Sequence, residues 1–489
     1  MICAAAILLV AATAMQEIGS LKDIASGDAV IAVEEGSCSS RLAKETFPSN
    51  RFVECINVHD SIMALEGGKI DALVYDRPYL EHAALNRPSV RVLDEDLGQI
   101  AIAIGAPLGN EALIGQVNDF IRRFRSDGTY DEMYRRWVRT ANPAMPSIPD
   151  AENPSGRIRI GVTLDAMPMG YIAGNGEFWG YDIEFSKRLA LHLNRAVEFV
   201  PMNFDALLSA TSSGMVDLGI SQFDATDEHR KVMLLSDPYI DSRAGVVVRR
   251  SGRERQSYWE RMGDGFRRTF LEESRWRLLF NGLGVTLYIT FTAAFLGTLL
   301  AFPLWLALAS RLLPLRMLGR GWVEVMQGTP VLVLLMIVFY VTFADVDVSP
   351  VFVAILVFGF NFSAYAGEML KAGVEAVPHG QREAALALGY SRWGAFRKFV
   401  FPQGLRIVLP VYRGSLISLL KDTSVVGYIT IHDLTRVSDL VRARTYDGFF
   451  PLVSTAVVYF LLAKLMALAL SRLGELIGPR TKGKGWLCR

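Results

Sequence analysis

The sequence predicts a soluble α/β half followed by an all-α transmembrane domain of five helices. Three observations predict it. Two stretches of the first half repeat the order helix, glycine turn, short apolar strand. Beyond Arg277, long runs carry no Asp, Glu, Lys or Arg. Basic residues gather in alternate connections between those runs. A length of 489 residues exceeds one hydrophobic core, so about two to four domains are expected. Fifty-one basic against 50 acidic residues give a net charge of +1, which excludes a polyanion-binding surface built on bulk charge and with it nucleic acid as the default partner. Cysteines at 3, 38, 55 and 488 are too few and too scattered for a disulfide framework or a zinc site. Cys38 and Cys55 are read as free thiols, with pairing in an oxidising compartment as the alternative.

The first repeat runs from Ser61 to Asp76 and the second from Asp205 to Ser221. Gly67 and Gly214 stand where a helix end tolerates positive φ, and Ile70 to Val74 and Val216 to Ile220 have the composition of buried parallel strands. Such αβ units place ligands at strand C-terminal ends. A further strand, Ala29 to Val33, leads through Glu34-Glu35-Gly36 into Ser37-Cys38-Ser39, a helix start with free backbone donors suited to a carboxylate. Met1 to Met15 is apolar but lacks the basic region of a signal peptide. It reads instead as a strand-and-hinge segment of a domain whose beginning is absent.

Gly161-Val162, Met167-Pro168, Gly180 to Glu184, Ser213-Gly214 with Asp217, Thr226 to Lys231 and Ser236-Asp-Pro-Tyr239 resemble the first lobe of the type II periplasmic binding domains of polar amino-acid importers. Leu21 to Ile24, Gly36-Ser37, Gly68 to Asp71, Asp76, Asp127-Gly-Thr129 and Trp137 resemble the second lobe and closing tail. The fold class implied is α/β periplasmic-binding-protein-like lobes. The order, second lobe before first, departs from the family and implies two tandem partial domains, 1–145 and 156–252. The resemblance also implies ligand roles. Asp76 matches the position that takes an ammonium, Ser37 and Cys38 the helix start that takes a carboxylate, and Tyr171 a cover for the side chain. The family's ligand arginine falls on His229, with Arg230 next to it, and two small hydroxyl positions fall on Gln222 and Asp224. A neutral imidazole does not replace a bidentate guanidinium, so a degenerate scaffold stands beside the binding reading.

In the second half, Leu278 to Ser310, Val325 to Ala344 and Val348 to Gly367 carry no charged residue, the last two joined by Asp345-Val346-Asp347. Ile407 to Ile431 is interrupted by Arg413 and Lys421-Asp422, and Gly448 to Ser471 only by Lys464. Runs of about 20 residues suffice to cross a bilayer, which gives the five spans. Arg311, Arg316 and Arg320, the six basic residues from Lys371 to Arg406, and Arg472, Arg480, Lys482, Lys484 and Arg489 mark the cytoplasmic side. The opposite loops hold only Arg436, Arg442 and Arg444. The N-terminal half is therefore expected outside the inner membrane and the C-terminus, with a basic tail at 476–489, inside.

Gly380 to Gly389, followed by Phe399-Val-Phe-Pro402, resembles the cytoplasmic coupling loop of ABC importer permeases, with Glu383, Ala384, Ala385 and Gly389 in register. Small alanines let a helix seat closely in a groove, the carboxylate anchors it, and the glycine permits a turn. Gln327 to Pro330, Ala364 to Glu368, Val377 to Gln381 and Leu420 to Ser424 narrow the resemblance to permeases for polar amino acids, over 270–475. Glu368, Arg413 and Lys421 are costly in a bilayer unless they face a partner or a wet path, and are candidates for the pathway. A packing ion pair is the alternative for Lys421-Asp422.

No Gly-x-x-x-x-Gly-Lys-[Ser/Thr] occurs, so ATP chemistry belongs to another chain. No catalytic constellation is present and no cofactor or metal is expected. The resemblance implies a permease subunit of an ABC importer with a fused external binding module. Its implied partners are two ABC ATPase subunits, a second permease copy or homologue, membrane lipid and an amino-acid substrate. A ligand-gated channel and a non-transporting solute sensor are the competing classes.

Overall fold

The computed structural model describes residues 18–55, 58–250, 258–343, 346 and 348–477. The N-terminal apolar stretch, Asp345 and Asp347, Cys3, Cys488 and the basic residues beyond 477 lie outside the described residues. The chain divides into two units. One holds the residues up to Arg275 together with Asp439–Pro451, the other Trp276–Ser438 and the residues from Leu452 onward.

In the first unit the strands are β1 (Val30–Glu34), β2 (Arg51–Cys55), β3 (Ala72–Asp76), β4 (Val90–Val92), β5 (Gln99–Ala106), β6 (Arg157–Val162), β7 (Asp165–Ala166), β8 (Gly170–Ile172), β9 (Phe178–Trp179), β10 (Ala196–Pro201), β11 (Leu218–Asp224), β12 (Leu234–Leu235) and β13 (Ile240–Arg249). Instead of separate α/β lobes, strands from both segments share one curled ten-stranded sheet, in the order β10-β6-β11-β5-β13-β3-β1-β2 with β12 added on β5 and β4 on β13. Each outer part is parallel, β1 with β2 and β3, and β6 with β10 and β11. Two antiparallel strands join them. β13 pairs through Ile240–Arg243 with β5 and through Ala244–Val248 with β3, so one strand belongs to both lobes. Its uninterrupted apolar run, Gly245-Val-Val-Val248, is buried on both faces, as such a position demands. Val33, Ile102, Trp137, Ile160 and Tyr239 share one core that ignores the boundary between the two segments. At the first αβ repeat it is Gly68, with φ of 71°, that takes the positive angle expected of Gly67; Gly214 has φ of 79°.

Asp439–Pro451 lies against both segments of this unit. Arg442 pairs with Asp60 at 3.2 Å. The Arg444 guanidinium donates to the Ile172 carbonyl at 2.8 Å, pairs with Glu273 and lies 4.7 Å from the Tyr171 ring centre. Arg87 donates to the carbonyls of Thr445 and Tyr446. The basic residues of this loop thus have acidic and carbonyl partners within the unit.

The second unit corrects the five-helix expectation. Among the described residues three helices are long and apolar enough to span a membrane, Trp276–Leu308, Pro350–Glu375 and Phe449–Arg472. A fourth is counted only if Leu313–Gly328 and Val331–Thr342, bent by 103°, form one span. The bend falls at Thr329-Pro330, where the proline ring opposes a continuous helix. The predicted span Ile407 to Ile431 fails for two reasons. Its helix, Phe401–Asp422, carries Arg406, Arg413, Lys421 and Asp422, and it then tightens into a 3-10 segment, Thr423–Ile429, that stops at Thr430 with φ of 69°. Helix Trp276–Leu308 continues through Pro303 and packs on Pro350–Glu375. A Cβ on Gly297 would lie 2.7 Å from the Gly359 carbonyl oxygen, so the two backbones meet where neither has a side chain.

Candidate functional site

The shared sheet brings the ends of β1, β3 and β11 together. Gly36, with φ of 75°, turns the chain after β1 into helix Cys38–Thr46. Ser37 caps that helix, its Oγ accepting from Ser40 N–H at 3.0 Å and donating to the Glu34 carbonyl at 2.8 Å. Ser37 therefore builds the helix start, and the Cys38 N–H is left for an acceptor outside the helix. That donor is 2.6 Å from Asp224 Oδ2, at the end of β11. Ser39 Oγ donates to Asp76 Oδ1 at 2.9 Å. Of the residues predicted to contact ligand, Cys38, Asp76 and Asp224 come together, with Ser37 behind them.

His229 Nδ1 is 2.7 Å from the backbone oxygen of Asp224, so this imidazole supports the β11 turn. Arg230 is exposed. Gln222, at φ of 56°, donates from Nε2 to Asp182 Oδ2 at 3.3 Å, and the Tyr239 hydroxyl donates to Asp182 Oδ1 at 2.7 Å. Tyr171 lies under Arg444 with its edge toward Trp137. Cys38 and Cys55 are both free thiols. Burial, then the Asp224 carboxylate, pushes the Cys38 thiol up to about 11, so it is neutral and unreactive.

Burial also raises the Asp182 carboxyl to about 7 and, with Asp224 adding to the effect, the Asp76 carboxyl to about 8. A carboxyl raised in the folded state holds its proton there while the unfolded chain, at the ordinary value near ~4, has lost it. This contribution to stability is complete below pH ~4 and is lost as pH rises through about 7 for Asp182 and about 8 for Asp76. The binding unit is expected to unfold at a higher temperature at pH 5 than at pH 8, and Asp182→Asn is expected to flatten that dependence. Thermal unfolding across the range checks it, and equal pH dependence in both proteins would count against a buried protonated Asp182.

The coupling loop expected at Gly380 to Gly389 falls on helix His379–Ala387 and the turn that follows it. It ends with Tyr390 N–H donating to the Ala385 carbonyl at 3.2 Å and Gly389 N–H to the Leu386 carbonyl at 3.0 Å, around Gly389 at φ of 84°. This paired closure needs a left-handed residue, and a Cβ at Gly389 would meet nothing within 4 Å, so the glycine is there for its backbone angle alone. Ala385 is buried, whereas Glu383, Ala384 and Leu388 are exposed. Gln403 Nε2 lies 3.3 Å from Gln381 Oε1, tying this helix to Phe401–Asp422. The result is a short helix whose outward face carries small residues with Arg382 and Glu383.

The bacterial extracellular solute-binding proteins, family 3, match residues 158–400. The L-cystine transport system permease protein TcyB of Bacillus subtilis (strain 168) is 32% identical over 200 residues, covering 40% of this chain and 86% of its own length. The octopine transport system permease protein OccM of Rhizobium radiobacter is 32% identical over 199 residues, 39% of this chain and 81% of that protein. The chain belongs to the amino-acid ABC-transporter permease family. A crystal structure of an amino acid ABC transporter with histidines is similar at a TM-score of 0.40, with 28% identity, over 46% of this chain and all of that one.

This permease carries a periplasmic-binding-protein-like domain fused to its membrane helices, and it is a transporter subunit. Within it, two of the three polar candidates of the membrane region have separate partners. Glu368 Oε2 accepts from Gln327 Nε2 at 2.8 Å, which joins two of the motifs that carry the resemblance. Arg413 donates to Ser471 Oγ at 2.9 Å. Lys421 is exposed beside Asp422 at the helix end. Sequence reading missed Gln327 as the partner of Glu368, although the conspicuous Gln-Gly-Thr-Pro stretch had marked its surroundings.

Proposed function

We propose that this chain is the permease subunit of an ABC importer for polar amino acids, with its binding lobes outside the membrane and alternating access driven by two separate ATPase subunits. The observation that carries the reading is the capped helix His379–Ala387, which presents Glu383 and Ala384 outward directly after an apolar helix. Such a lever suits a partner that moves on ATP binding. The named relatives, permeases for cystine and octopine, support the substrate class. The binding module holds the solute, and rocking of the helices around a central path passes it inward. The test is ATP-dependent uptake of radiolabelled polar amino acids into vesicles containing this chain and a copurifying ATPase. A chain that copurifies with no ATPase and conducts without ATP would contradict the reading and favour a channel.

The same reading sets the orientation. A cysteine introduced at Ser391, in a background without native thiols, is expected to resist an impermeant maleimide added outside sealed cells and to react after lysis. A probe in the exposed stretch near Glu111 is expected to react from outside. Labelling of position 391 in sealed cells would overturn the proposed sidedness.

A further inference from the structure

Between the binding lobes and the first membrane span the chain forms a helical stretch that the candidate site does not use. Helix Tyr258–Phe266 widens into a π-turn, Arg267–Leu271. Trp259, Met262, Phe266 and Phe270 recur at intervals of three and four, so they fall on one side, whereas Glu260, Asp264, Arg267 and Arg268 fall on the other. The apolar side is turned outward, with Trp259 79% and Phe266 47% exposed. An apolar face of this kind marks a surface that something else covers.

What the stretch packs on fixes its depth. A Cβ on Gly265 would come 2.9 Å from the Phe450 ring, so the helix backbone is seated directly on that residue. The rings of Phe266 and Phe270 are centred 5.9 and 6.4 Å from that of Phe450 and 4.9 Å from each other. Phe449 and Phe450 open the membrane span Phe449–Arg472. A helix packed on the first turn of a span lies at the level where that span leaves the bilayer, in the interfacial layer that favours Trp and other amphipathic rings. The far end is fixed as well. Glu273 and Ser274, at φ of 52° and 56°, end the stretch just before the span Trp276–Leu308 starts. Glu273 is held there by Arg275 at 3.5 Å and by Arg444.

We propose that Tyr258–Leu271 is an interfacial anchor that lies on the bilayer surface, with Trp259, Met262 and Phe266 sunk into the layer between headgroups and acyl chains. Continuity favours lipid over a second protein as the occupant. The stripe runs from Trp259 through Phe266 and Phe270 onto Phe450, so its covered end meets a residue that already belongs to a membrane span. The polar side, with Glu260 and Arg267 exposed, keeps to water. Anchored in this way, the fused lobes are held beside the membrane by their own chain, whichever solute is carried and whatever drives its passage.

Depth-dependent quenching on the full-length chain in lipid nanodiscs tests this. In a background without native thiols, a thiol-reactive fluorophore is placed by Trp259→Cys or Gly263→Cys on the apolar side and by Glu260→Cys or Arg267→Cys on the polar side. Nothing lies within 4 Å of a Cβ at Gly263, so that variant serves if Trp259→Cys does not fold. The quenchers are nitroxide lipids labelled near the carbonyl or near the chain end, and aqueous iodide. Labels at 259 and 263 are expected to be quenched most by the shallow nitroxide, in keeping with a depth of ~5–10 Å, and to be protected from iodide. Labels at 260 and 267 are expected to show the reverse. Iodide quenching on both sides would put the stretch in water and overturn the anchor. Strongest quenching from the chain end would put it inside the bilayer, and protection of 259 and 263 from every quencher would show that protein covers the face; each overturns it too. None of these outcomes touches the importer reading, whose own failure in the uptake assay would leave the quenching pattern unchanged.

Discussion

Glu383→Lys is expected to reduce ATP-driven uptake to background while the chain still inserts and folds. The side chain is exposed on helix His379–Ala387, and lysine is as good a helix former as glutamate, so the helix itself should survive. What changes is the charge offered to a partner. Placing like charges together in an interface costs several kcal/mol, and ~4 kcal/mol corresponds to roughly a thousandfold loss of affinity. Glu383→Gln, which removes the charge without reversing it, should lose less. The measurement pairs ATPase copurification with uptake in vesicles. Wild-type values for both in Glu383→Lys would remove the coupling-loop assignment. Gly389→Val offers an independent approach, because it strains the left-handed closure at φ of 84° without touching the outward face.

Helix His379–Ala387 and its closure at Gly389 were legible because their geometry is local. Glycine, acid and alanines fall within ten positions, and the angle that Gly389 adopts is one the sequence motif already requires. The cluster of Cys38, Asp76 and Asp224 was legible only in parts. Asp76 and Cys38 could be marked from their places after strands, but the contact of Asp224 with Cys38 exists only because β5 and β13 fuse the two segments into one sheet. Nothing in a residue's own neighbourhood announces a partner 186 positions away. Two of the five expected membrane spans failed for a different reason. A charge-free run measures the cost of leaving water, whereas a span also needs an unbroken helix, and Thr329-Pro330 breaks one run while Arg413 and Lys421 interrupt another. Arg442 and Arg444 sit in an otherwise acceptor-rich setting that sequence distance conceals, since Asp60 and Glu273 are remote in the chain.

The largest expected stability loss is that of Glu184→Ala, because this carboxylate joins the closing tail to the first-lobe segment. Its side chain is 0% exposed. Oε2 accepts from Trp137 Nε1 and from Arg136 Nη1, each at 2.7 Å, and Oε1 accepts from Arg136 at 2.8 Å and from Arg188 at 2.9 and 2.7 Å. Arg136 and Trp137 belong to helix Thr129–Val138, Glu184 and Arg188 to helix Tyr181–His192. Deletion of the acid would leave a buried indole N–H without an acceptor and two guanidinium groups, 20% and 29% exposed, facing each other. Breaking a buried pair from one side costs about 3–5 kcal/mol, a large share of the 5–15 kcal/mol typical of a domain. The exposure of the two arginines places the expected value toward the lower end, since water can reach them. Arg188→Ala should cost less, because Arg136 and Trp137 would still saturate the carboxylate, and the pair of substitutions together should be less than additive. Urea unfolding of the full-length chain, followed by tryptophan fluorescence, measures each step. A loss below about 1 kcal/mol for Glu184→Ala, the ordinary range of surface substitutions, would show that the tail is held by its apolar contacts and not by this carboxylate.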